Sequence, residues 1–139
     1  MVSADAQHDE ATGRWVLLHH TGPDGSAHYD WMIAPPGTPT DDPDARLLQT
    51  WRVDAPPSQA RGDFTATRIA DHRCRYLTYE GPLSADRGEV RRVDAGDVIA
   101  YERRDDGLSV TIVEGTMVRR YVGQAGPDAW LFRIEAVDR

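Results

Sequence analysis

The stretch "RWVLLHHTGPDGSAHYDWMIA", residues 14–34, decides the fold. Residues 14–20 are rich in the aromatic and branched side chains that favour a strand. Residues 21–27 hold Gly22, Pro23, Asp24 and Gly25, residue types that reverse a chain. Residues 28–34 resume extended character, so the spacing predicts a β-hairpin whose loop is longer than the tightest types. Alternation puts Trp15, Leu17 and His19 on one face of the first strand, and Val16, Leu18 and His20 on the other. His28 and Asp30 share a face of the second strand, with Tyr29 opposite. Antiparallel pairing then sets either His19 or His20 beside His28, with Asp30 one pleat further along. Two imidazoles and a carboxylate on one face suit a divalent metal such as Mn²⁺ or Zn²⁺. A solvated polar hairpin has the same spacing.

Outward from the hairpin, residues 35–45 form a proline-rich acidic loop and residues 46–54 another strand, closed by Pro56 and Pro57. Residues 58–64 allow one turn of helix. Residues 65–73 and 74–81 read as extended or semi-extended, followed by a turn at GPLS. Further strands are expected at 89–94, 97–104, 108–123 (broken near Gly115) and 128–137, where Trp130, Phe132 and Ile134 share one face. Turn signals recur every 8–12 residues, and no segment keeps a helical apolar period. That pattern predicts an all-β, mainly antiparallel fold: a compact single-domain β-barrel with short helical turns. Residues 1–12 are polar and expected to be a flexible N-terminus, leaving 13–139 as one domain.

Length and composition fit this reading. The chain has 139 residues, of which 40% are hydrophobic and 28% charged, within the ordinary range of a folded domain. The net charge of −7 argues against general attraction to a phosphate backbone. All sixteen basic residues are arginine, so lysine Schiff-base and general-base chemistry is excluded. Cys74, the single cysteine, excludes an internal disulfide and a CxxC metal knuckle. Arg73 and Arg75 beside it could activate the thiol; the alternative is a buried cysteine. No apolar stretch approaches a membrane span, and the start MVSADAQHDE lacks signal-peptide character, so a cytoplasmic protein with no membrane partner is expected. His72, in "IADHRCRYLTYEG", is followed by Tyr76 and Tyr79; a neutral histidine there could work as an acid–base group or simply satisfy a loop.

In order, "HHTGPDGSAHYDWMI", "TWRVDAPPS" and "IADHRCRYLTYEG" resemble the 3′-phosphoesterase domain of bacterial DNA ligase D over residues 14–90. The resemblance implies a compact β-barrel and a manganese-dependent hydrolase that trims 3′-terminal ribonucleotides and removes 3′-phosphates in DNA repair. By motif position it implies metal binding by His20, His28 and Asp30, and active-site roles for His72 and Tyr76. Three cationic positions of the family fall on Met32, Ala55 and Phe64 here. Losing one charged hydrogen bond to phosphate typically costs about 1.5–3 kcal/mol, so other cations must serve. Arg52, Arg68, Arg75 and Arg87 are the candidates, with Arg87 in the "SADRGE" turn first and Arg52 retained beside it. The expected substrate is a nucleic-acid 3′ end. The alternatives are a metalloenzyme on the same scaffold acting on a nucleotide or other phosphorylated metabolite, and a non-catalytic binding relative.

Overall fold

The computed structural model describes residues 12–137; of the expected flexible N-terminus, residues 1–11 lie outside that range. The strands are β1 (Gly13–Thr21), β2 (Ala27–Ala34), β3 (Arg46–Val53), β4 (Phe64–Arg73), β5 (Gly81–Pro82), β6 (Glu89–Arg104), β7 (Gly107–Glu114), β8 (Met117–Ala125) and β9 (Trp130–Glu135). They form one antiparallel sheet in the order β1-β2-β3-β4-β9-β8-β7-β6-β5. Pairing of β1 with β6 closes it into a ring. The all-β reading holds, and the architecture is barrel-like. Among the described residues no helix is long and apolar enough to cross a membrane.

The hairpin forms as its sequence predicts. Gly22 N–H donates to Ser26 O (2.7 Å), Asp24 Oδ1 accepts from Ser26 N–H (3.0 Å), and Gly25 supplies a φ of +86°. The 108–123 segment divides into β7 and β8 at Gly115, whose φ is +63°. Two expectations need correction. Residues 74–81 are not extended: Cys74–Leu77 is a 3₁₀ turn. Its buried residues, Cys74 and Leu77, are three apart, which is the 3₁₀ period and not the strand period. The segments 89–94 and 97–104 are one strand, β6, because Gly96 is not a turn residue. A Cβ there would meet the Val113 carbonyl and the Trp15 indole, whose Nε1 donates to that carbonyl at 3.0 Å. Register shifts bend β6 instead, skipping Val93 against β1 and Ile99 against β7; both residues are exposed.

The sheet buries apolar side chains on both faces of β1 and β2. Inside the ring lie Trp15, Leu17, Trp31, Trp51, Tyr121 and Phe132 with their neighbours. Trp130 and Ile134 also pack against this core, as the alternation of β9 predicts. Outside the ring, a second core of Val16, Leu18, Met32, Ala34, Leu48 and Val90 is covered by Cys74 and Leu77 of the 3₁₀ turn. This second core forms the floor on which the candidate site sits.

At the inner core's edge, Tyr121 Oη donates to Glu114 Oε2 (2.7 Å), and Arg119 Nε lies 3.5 Å from Glu114 Oε1. Burial, the largest cause, raises the Glu114 pKa above its ordinary 4.5, against the Tyr121 hydrogen bond and Arg119, which lower it. The folded state therefore binds this proton more tightly than the unfolded chain. The group favours folding most at low pH, and that contribution is lost as pH rises from about 4.5 through the raised folded pKa. Glu114→Gln keeps an acceptor for Tyr121 and removes the titration. Thermal melts from acid to neutral pH are expected to show the variant gaining on the wild type as pH rises. Parallel curves would show that Glu114 titrates alike in both states.

Candidate metal centre and adjoining cavity

The β1–β2 register pairs His20 with His28 and Leu18 with Asp30. All four share the outer face with Val16 and Met32. His19 pairs with Tyr29 on the other face, their rings 4.9 Å apart. The choice that strand spacing leaves open is thus resolved in favour of His20. His20 Nδ1 lies 3.2 Å from His28 Nε2, His28 Nε2 lies 3.2 Å from Asp30 Oδ1, and His20 Nδ1 lies 3.8 Å from Asp30 Oδ2. Ligands held about 2.0–2.2 Å from one ion sit roughly 3–3.5 Å from each other. The three residues therefore fit a divalent ion with little adjustment.

Three further features fit the same ion. Asp30 is buried, and its Oδ1 accepts no well-formed hydrogen bond, a costly state for a carboxylate with no cation beside it. His20 Nε2 donates to the Arg87 carbonyl at 2.8 Å, which leaves the Nδ1 lone pair facing the other two ligands. His28 has its pKa lowered, chiefly by burial, with the nearby Arg52 and His20 acting in the same direction and Asp30 opposing. Lowering favours the neutral imidazole that a metal requires.

The Arg87 carbonyl owes its position to Gly88, which adopts φ +89° against the Thr21 backbone. A Cβ there would be driven into the Thr21 carbonyl oxygen. Gly88→Ala is expected to weaken Mn²⁺ binding by about 10–100-fold, the usual effect of losing a ligand's hydrogen-bond support. Strain should also lower stability by about 1–3 kcal/mol. Titration calorimetry with Mn²⁺ checks this, and wild-type affinity in the variant would remove the carbonyl from the account.

A cavity of about 160 Å³ opens beside the triad, lined by His20, Asp30, Met32, His72, Tyr76 and Arg87 among others. His72 Nδ1 donates to Ala70 O at 2.8 Å, so the neutral ring keeps a lone pair on Nε2. The Tyr76 ring meets His72 edge-on at 5.9 Å. Residues singled out in two distant segments therefore converge on one space. Arg87 lines the cavity, contributes its carbonyl to His20, and bonds Ser84 O (2.9 Å) and Oγ (3.0 Å) through its guanidinium. Arg52 is the β3 partner of Asp30; it is exposed and flanks the triad without lining the cavity.

The other candidate cations are engaged elsewhere. Arg68 binds Asp71 at 2.7 Å and lies over the Trp51 ring, and Arg75 pairs with Asp44. Met32 is buried in the outer core and lines the cavity floor. Phe64 stacks on Phe132 at 5.5 Å against the inner core, and Ala55 borders a different cavity. None of the three offers a charge to the site. Cys74 is buried, which raises its thiol pKa, so its arginine neighbours do not activate it. Two cations escape the sequence reading. Arg46 and Arg73 line the cavity, and only the β3–β4 register, which pairs them, shows that they meet. No protein-family model matches the chain, and no curated protein matches it in sequence.

Proposed function

We propose that the protein is a divalent-metal-dependent phosphoesterase, with manganese as its ion, that removes a terminal phosphate from a nucleic-acid 3′ end. The observation that carries this reading is the convergence of His20, Asp30, His72, Tyr76 and Arg87 on one cavity, with His28 completing a ligand set against it. His20 Nδ1, His28 Nε2 and an Asp30 oxygen would hold the ion. A divalent ion bound there supplies Lewis-acid charge that polarises a phosphoryl oxygen. His72, fixed by Ala70 O as the Nδ1–H tautomer, accepts at Nε2 a proton from the water that attacks phosphorus. The P–O3′ bond breaks as the new P–O bond forms, and that proton can pass to the departing 3′ oxygen to give phosphate and a 3′-hydroxyl. Tyr76 packs against that ring and restrains it, and the Arg87 guanidinium offers positive charge at the cavity wall. The outer core under Met32 and Leu18 makes the floor apolar, limiting water around the reacting phosphate.

A second reading keeps the chemistry and changes the substrate. The net charge of −7 favours a small phosphorylated molecule, such as a free nucleotide, over a long polyanion. Incubation with Mn²⁺ separates the two. Release of phosphate from a 3′-phosphorylated primer–template supports end processing. Turnover of nucleoside monophosphates alone moves the function to small molecules, and Mn²⁺ binding without turnover of either makes the chain a binding protein. His72→Ala is expected to lower kcat by about 10²–10⁴-fold, the usual share of a general acid or base. Its Mn²⁺ content should stay at the wild-type level. An unchanged kcat would exclude His72 from the proton transfer.

A further inference from the structure

We propose that Arg46 and Arg73 form a phosphate clamp, taking the dianion of a phosphate monoester against the wall of the cavity facing His20 and Asp30. The two arginines are register partners on β3 and β4, and both residues line this cavity. Like charges directly across a sheet repel and weaken the pairing unless something of opposite charge sits between them. Among the described residues neither arginine forms an ion pair with a carboxylate, so no acidic side chain offsets the pair. Of the two carboxylates at the cavity, Asp71 is held by Arg68 at 2.7 Å, which leaves Asp30 against three arginines, Arg46, Arg73 and Arg87. The net charge in this space is therefore positive.

An anion relieves the repulsion, and the guanidinium fork matches the oxygens of phosphate in spacing and plane. Two cations favour a doubly charged monoester over a singly charged diester. The cavity, about 160 Å³, has room for a terminal phosphate group. The clamp rests on the phosphoesterase reading for its place in a reaction. Its binding of phosphate can be measured without turnover.

The test is calorimetric titration of the full chain with inorganic phosphate, and with dimethyl phosphate as the monoanionic comparison, in the presence of a chelator. Arg46→Gln and Arg73→Gln are each expected to weaken inorganic phosphate binding by about tenfold, as for loss of one charged hydrogen-bond donor. The double variant should also lose the preference over dimethyl phosphate. Arg73→Lys, which keeps charge but not the fork, should fall between wild type and Arg73→Gln. Mn²⁺ binding should be unchanged in all of them. Folded variants that bind phosphate like wild type, or a wild type with no measurable affinity, would overturn the clamp. Loss of phosphate binding in a protein that takes up no Mn²⁺ would uphold the clamp and defeat the metal reading; the reverse pattern would do the opposite. A 3′-phosphorylated oligonucleotide and a nucleoside 3′-monophosphate then identify the source of the monoester, and both should lose affinity in the double variant.

Discussion

Asp30→Asn is expected to weaken Mn²⁺ binding by more than about 100-fold, because direct ligands matter at least as much as their supporting hydrogen bonds. The same substitution should stabilise the metal-free protein. The two expectations share a cause. Asp30 is buried, its Oδ1 accepts no hydrogen bond, and its nearest side-chain neighbours are the two imidazoles of His20 and His28. A carboxylate in that setting costs folding free energy unless a cation sits beside it. Asparagine removes the charge with almost no change of volume. A site built for function at the expense of stability behaves this way; a carboxylate retained for structure would leave the apoprotein less stable when replaced. Melts with chelator and with Mn²⁺ measure both halves, and the Mn²⁺-dependent rise in Tm should be present in wild type and absent in Asp30→Asn.

Trp31→Ala is expected to cost about 3–5 kcal/mol, much of the 5–15 kcal/mol that typically holds a domain of this size folded. Trp31 is fully buried where β2 crosses the inner core. Its ring meets those of Trp51, Phe64, Tyr121 and Phe132 at centroid distances of 6.3, 6.1, 5.1 and 5.3 Å. Those partners come from β3, β4, β8 and β9, so one side chain ties together strands from both halves of the ring. Trp31→Phe should be much milder, since the indole Nε1 has no hydrogen-bond partner and phenylalanine removes that unsatisfied donor. Urea denaturation compares them: a large fall in midpoint for Ala and a small one for Phe. Equal losses would show that the indole nitrogen carries more of the stability than the ring contacts.

The β1–β2 hairpin and its face assignment were legible because everything that determines them is local. Gly22, Asp24 and Gly25 specify the turn, and period-2 alternation assigns faces. The identity of the first histidine required the register, which pairs His20 with His28 across that turn. Bulges at Val93 and Ile99 are invisible in sequence because their causes lie on other strands, as Gly96 shows by making room for the Trp15 indole. The 3₁₀ turn at Cys74–Leu77 is not marked by any local turn residue. Its spacing instead serves an outer core that no single segment reveals. Arg46 and Arg73 stand 27 positions apart, and only the irregular β3–β4 register brings them together.

Anomalous diffraction at the manganese edge, from crystals grown with Mn²⁺, addresses the metal centre most directly. The predicted result is a single peak within coordinating distance of His20 Nδ1, His28 Nε2 and Asp30, lost in crystals of Asp30→Asn. No peak between these three residues, or one that persists in the variant, would contradict the account.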